Sequence, residues 1–212
     1  MPLSLPVFSY SSAVRIGVLG GTFDPIHLGH LIVAEMAREA ERLDRVLFVP
    51  AGRPWHRGRT PHASAEDRLA MVEAAIAGNP AFAASRVDLD RDGPTYTVDT
   101  LEALGARFPD ATLVFLLGQD ALAQLDTWRE PARIAELCEI VALARPGAPP
   151  IDLTAIRTYI PDAALRVRVL ETPLIGISAT MIRDRIQRGL SIRYLTPDAV
   201  VTYIARRGLY RR

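Results

Sequence analysis

The chain has 212 residues, 49% of them hydrophobic, with 25 basic and 24 acidic side chains and a formal net charge of +1. That much apolar content with mixed charge excludes fibrous, collagen-like and disordered classes, and the length suits one α/β domain. A near-neutral chain has no global field to hold nucleic acid or an anionic membrane, so neither is an expected partner.

Residues 1–13 read as a flexible N-terminal extension ahead of a single domain spanning 14–212. The extension lacks the positive charge of a signal peptide. Val14 to Leu19 reads as a buried strand ended by Gly20-Gly21. Leu28, Leu31, Ile32, Met36, Ala40 and Leu43 then recur at helical spacing, with charged residues between them. Val46 to Val49 is a second strand, stopped by Pro50. Strand, helix and strand within ~35 residues form a βαβ unit, which implies a parallel sheet. Residues 51–63 are a loop rich in Gly, Pro, Arg and His. Ser64 caps the next helix, with Leu69, Val72 and Ile76 on one face.

Phe82 to Leu89 reads as short extended pieces. Thr97, as N-cap, opens a helix through Leu101 and Leu104. Thr112 to Leu117 and Glu139 to Leu143 are strands, the latter closed by Arg145-Pro146-Gly147. Residues 151–164 fit neither period. Leu165 to Leu170 is the last strand, and Ser178 to Arg188 and Pro197 to Arg206 are closing helices. The expected architecture is α/β: a Rossmann-like, doubly wound parallel sheet with a small helical C-terminal part. No apolar run approaches the ~18 residues of a membrane-spanning helix. The lone cysteine, Cys138, cannot form a disulfide framework and is expected to pack as a small hydrophobe, which fits a cytoplasmic setting. All 25 basic residues are arginine. Any chemistry that needs a cation must therefore use Arg or His.

Two segments carry chemistry. The first is Gly20-Gly21-Thr22-Phe23-Asp24-Pro25-Ile26-His27-Leu28-Gly29-His30. A buried strand ends in glycines just before a helix, at the position where open α/β sheets bind ligands. Helix N-termini offer N–H groups and partial positive charge to phosphate. His27 and His30 are three residues apart, so on a helix start they share one side and can donate to phosphate oxygens. Gly29 removes a side chain where a nucleotide would press. A turn-forming glycine pair, ordinary cap histidines or a two-histidine metal site are the bland alternatives. The second segment is Ile177-Ser178-Ala179-Thr180-Met181-Ile182-Arg183, where Ser178 is a good N-cap and Arg183 lies one turn inside.

Gly-Thr-Phe-Asp-Pro-x-His-x-Gly-His resembles the signature of the nucleotidyltransferase superfamily. From about Val14 to Leu209 the chain is similar to the bacterial nicotinate-nucleotide adenylyltransferases. The resemblance implies adenylyl transfer from ATP to nicotinate mononucleotide, giving deamido-NAD and pyrophosphate, with Mg²⁺ bound mainly through ATP phosphates. It implies catalytic roles for His27, His30 and Arg183. It places ATP on Gly20, Gly21, Thr22, Phe23, His27, His30, Gly118, Asp120, Ile177, Ser178 and Arg183. Asp24, His56, Arg57, Tyr96, Thr97 and Trp128 would meet the mononucleotide. In the family the loop holding His56 has Pro-Pro-His, and here Trp55 replaces the second Pro. Sister readings are transfer to nicotinamide mononucleotide or phosphopantetheine, or a non-catalytic nucleotide-binding regulator. Homo-oligomer formation is left open.

Overall fold

The apolar runs become six strands: β1 (Arg15–Gly21), β2 (Arg45–Pro50), β3 (Phe82–Ala84), β4 (Thr112–Gly118), β5 (Glu139–Ala144) and β6 (Val167–Glu171). The computed structural model describes residues 13–53, 60–144, 153–160 and 167–211. The N-terminal extension, Ala13 apart, lies outside them, as do Trp55, His56, Arg57, Arg145-Pro146-Gly147 and Leu165. The strands form one parallel sheet in the order β3-β2-β1-β4-β5-β6. The order reverses between β1 and β4. In such sheets the crevice outside the carboxyl ends of those two strands takes the ligand.

Several boundaries differ from the sequence expectation, among them those of β1 and of the first helix. β1 runs through Gly20 and Gly21 and does not stop at them, because both pair with β2, opposite Val49 and Pro50. Helix α1 (Leu28–Ala40) ends before Leu43. Arg42 turns the chain with φ 52°, and Leu43 is buried from the turn that follows. The buried residues of α1 are Gly29, Ala34 and Ala37, while Ile32 is exposed.

The other helices are α2 (Ala65–Ile76), α3 (Thr97–Arg107), α4 (Gln119–Leu122), α5 (Pro131–Leu137), α6 (Leu153–Arg157), α7 (Ala179–Gln187) and α8 (Asp198–Arg207). They divide between the two sheet faces. One core joins Phe48, Val114, Leu116 and Val141 to Ala34, Met71, Ile182 and Ile204, from α1, α2, α7 and α8. The other joins Leu47, Val49, Phe115 and Ile140 to Leu101, Leu122, Ile134 and Ile156, from α3 to α6. The period-2 alternation along each strand produces this split. Cys138 is buried as expected. Its thiol donates to the Ile134 carbonyl (3.2 Å), and burial pushes its pKa up to about 12.

The helical C-terminal part docks on the front of the sheet. Leu28 N–H donates to the Leu195 carbonyl (3.0 Å), and Thr196 Oγ1 donates to the Ile26 carbonyl (2.8 Å). Tyr203 and Arg207 of α8 both donate to Asp67 of α2. Many of the arginines serve ordinary ion pairs, such as Arg15 and Arg168 on Glu139 and Arg86 on Glu66. Among the described residues no helix is long and apolar enough to cross a membrane.

Candidate active site

The loop leaving β1 carries Phe23 at φ 50°, a left-handed conformation that costs a non-glycine residue energy. The turn drives the Phe23 ring inward, against Phe48 (5.9 Å between centroids) and edge-on to His30 (5.1 Å). Phe23 is thus a support for His30, and any nucleotide contact it makes is through its backbone. His27 sits at the N-cap of α1. Its ring stacks on that of His30 at 3.7 Å and 25°, so the two imidazoles share one side as their spacing implied.

The pair has fixed chemistry. His27 N–H donates to His30 Nδ1 (3.2 Å). That nitrogen must carry a lone pair, so the ring proton of His30 is on Nε2, which is a donor. Burial, at 8% exposure, pulls the His27 pKa down to about 4. His27 is therefore a neutral group near pH 7 and contributes no charge. Its Nδ1 has no hydrogen-bond partner among the described residues. A Cβ on Gly29 would stand 3.0 Å from that nitrogen and 3.4 Å from Ile175. Gly29 thus makes room for the His27 ring, and not for a nucleotide directly. The first turn of α1 also has fewer donors to offer than expected: Leu28 N–H goes to Leu195, and His30 N–H goes to the His27 carbonyl (3.0 Å).

The second segment meets the first. Ser178 caps α7, its Oγ accepting from Met181 N–H (3.1 Å). Arg183 Nη1 donates to the Asp24 carbonyl (2.6 Å), and Nη2 donates to Thr180 Oγ1 (3.2 Å). The side chains of Ser178 and Thr180 are exposed, as are Gly118 and Asp120 at the carboxyl end of β4. Ile177 is half-buried and packs on the core.

The Asp24 side chain is engaged by the protein itself. It is 5% exposed. Oδ1 accepts from Ala63 N–H (3.0 Å) and the Tyr210 hydroxyl (2.8 Å), and Oδ2 from His62 N–H (2.8 Å). His62 Nδ1 lies 3.3 Å from Oδ2. With its acceptor positions filled by the protein, the carboxylate is an anchor between three chain segments. Any contact of Asp24 with the mononucleotide would therefore come from its backbone and not from these oxygens. Burial, then the Asp24 charge, raises the Tyr210 pKa, so the phenol stays a donor.

The other residues expected to meet the second substrate follow β2 and β4 in the chain. Tyr96, not Thr97, takes the N-cap of α3, and Thr97 is its first helical residue. Arg53 and Thr95 bind each other twice, Thr95 N–H to the Arg53 carbonyl and Arg53 N–H to Thr95 Oγ1 (both 3.0 Å). Trp128 is half-buried with its ring 6.1 Å from Phe115. The Arg129 guanidinium lies over the Tyr96 ring at 4.9 Å, and Tyr96 and Trp128 both pack against the second core. Glu130, which follows, adopts φ 53°.

Sequence reasoning missed Arg68, Tyr210 and Asp88. Asp88 is buried, accepting from Thr100 Oγ1 (2.6 Å) and Arg91 Nη2 (2.9 Å). Burial outweighs both donors and pushes its pKa up to about 6 from 3.8. The folded chain then holds this proton more tightly than the unfolded one. The resulting stability is complete below pH 3.8 and is lost as pH rises through about 6. Asp88→Asn, neutral at every pH, removes that loss. Relative to wild type it should gain up to ~3 kcal/mol between acid and about pH 8. Urea unfolding of both proteins across that range checks it, and parallel curves would refute the assignment.

Comparison with known proteins agrees with the fold. The cytidylyltransferase-like family model matches residues 18–185. A Thermomicrobium roseum protein described as "Probable nicotinate-nucleotide adenylyltransferase" is 52% identical over 197 residues, covering 93% of this chain and 92% of its own. A Thermus thermophilus protein of the same description is 48% identical, covering 93% and 100%. The Plasmodium falciparum nicotinic acid mononucleotide adenylyltransferase complexed with NaAD superposes with a TM-score of 0.74, covering 93% and 97%. At 20% identity that likeness concerns the fold alone.

Proposed function

The chain belongs to the nicotinate-nucleotide adenylyltransferase family, within the cytidylyltransferase-like group, and we propose that it transfers the adenylyl group of ATP to nicotinate mononucleotide. The products are deamido-NAD and pyrophosphate, in NAD biosynthesis. The observation that carries this reading is the bond from Arg183 to the Asp24 carbonyl. It brings the two phosphate-type segments, far apart in the chain, to one crevice at the sheet's switch point.

The mononucleotide phosphate attacks the α-phosphorus of ATP in line. One P–O bond forms, the bond to the β-phosphate oxygen breaks, and pyrophosphate leaves with that electron pair. The nucleophile is already an anion, so no general base is needed. The work is positioning and charge stabilisation. His30 donates from Nε2, His27 supports its ring as a neutral partner, and Arg183 supplies a fixed cation. Ser178 and the first N–H groups of α7 face the β and γ phosphates. Gly118 and Asp120 take the adenosine side. Tyr96, Thr97 and Trp128 receive the pyridine, with His56 and Arg57 on the mononucleotide phosphate.

Among the described residues no three His, Cys, Asp or Glu side chains cluster to hold a metal. The donors gathered at the crevice are cationic or neutral. That set suits a cation arriving on the ATP phosphates, so Mg²⁺ belongs to the substrate in this reading.

The half-site assignment has its own test. Trp128→Ala should raise KM for nicotinate mononucleotide about tenfold, the loss of one aromatic stack, and leave KM for ATP unchanged. Steady-state kinetics with each substrate varied decides it. Equal effects on both would return Trp128 to the core.

A further inference from the structure

Arg68, on the first turn of α2, is 1% exposed and heads the fully buried side chains by volume. No carboxylate among the described residues lies within ion-pair distance of it. Asp24 acts on it only from further away, and burial lowers its pKa. Its Nε has no hydrogen-bond partner among the described residues. Burying a charge this way is costly, and a hydrophobic side chain would fill the same space without that cost.

What the guanidinium does hold is specific. Nη1 donates to the Thr22 carbonyl (2.8 Å) and Nη2 to the Gly52 carbonyl (3.2 Å). Thr22 belongs to the loop that presents Phe23, His27 and His30. Gly52 follows β2 and precedes Arg53, which is bonded twice to Thr95 just before Tyr96 and Thr97. The Gly52 position is itself closely packed, since a Cβ there would stand 2.4 Å from the Asp88 carbonyl. One planar fork therefore spans the loop of the ATP half-site and the loop leading to the mononucleotide half-site.

We propose that Arg68 is a positioning residue that fixes the spacing of the two half-sites by gripping the Thr22 and Gly52 carbonyls together. The proposal rests on the adenylyl-transfer reading. It separates alignment from binding: each substrate still finds its own residues, but the attacking phosphate no longer lies in line.

Arg68→Lys keeps the charge and can serve one carbonyl. Arg68→Met keeps the stem and serves neither. In both, kcat per folded molecule should fall on the order of 10²-fold, while KM for each substrate stays within about threefold. Thermal melting gives the folded fraction. The binding of a non-hydrolysable ATP analogue, followed by calorimetry, should be nearly normal. A folded variant with kcat within about threefold of wild type overturns the proposal. So does a loss confined to KM, or a failure of both variants to fold, which would make Arg68 a purely structural residue. Wild-type protein is assayed first for deamido-NAD. Its failure would sink the reaction assignment, whereas normal wild-type turnover with indifferent variants would sink Arg68 alone.

Discussion

His30→Ala lowers kcat by about 10²–10³-fold and leaves a folded protein, the expected consequence of deleting one preorganised donor from a charge-stabilising site. The donor is preorganised by three contacts. The His27 N–H on Nδ1 fixes the tautomer, the His27 ring stacks on one face, and the Phe23 ring meets it edge-on. None of these needs to rearrange when phosphate arrives. The structural cost of the change is the unpaired His27 N–H, about 1 kcal/mol, too little to unfold the chain. Because the effect is on the transition state, kcat should fall with little change in either KM. Steady-state kinetics alongside circular dichroism measures both. A folded variant turning over at more than about a third of the wild-type rate contradicts the role.

Asp24→Ala should be the most destabilising single change in the site, by about 3–5 kcal/mol. It strips the partner from the Tyr210 hydroxyl and from the Ala63 and His62 N–H groups at once. It also removes the carboxylate charge that offsets the buried Arg68 guanidinium. Three segments lose a common anchor: the loop before α1, the start of α2 and the C-terminal end of the chain. Urea unfolding followed by circular dichroism gives the difference. A loss under about 1 kcal/mol would return Asp24 to the substrate-contact role suggested by its place in the motif. Asp24→Asn, which retains one acceptor oxygen, should fall between.

Local signals in the sequence were enough for much of this. The β2 run, the Ser64 and Ser178 caps and the His27–His30 spacing each depend on residues within one turn or strand, and each appears in the structure. Long-range effects were not legible. Asp24 looks like a ligand contact in the motif. Its partners come from residues 62, 63 and 210, which no local pattern can place. Arg68 sits in Ala-Glu-Asp-Arg-Leu, where an arginine reads as a solvated helix residue. Only the docking of α2 under two loop carbonyls buries it. The helical spacing overruns the end of α1, because Leu43 keeps it although the chain has already turned at Arg42.

The most direct measurement of the central claim supplies Mg²⁺-ATP with nicotinate mononucleotide, nicotinamide mononucleotide or phosphopantetheine in parallel and follows pyrophosphate release from each. The expected result is turnover with nicotinate mononucleotide at the highest kcat/KM of the three, with deamido-NAD as the accompanying product. Fastest release with either other acceptor, or none with any, would contradict it.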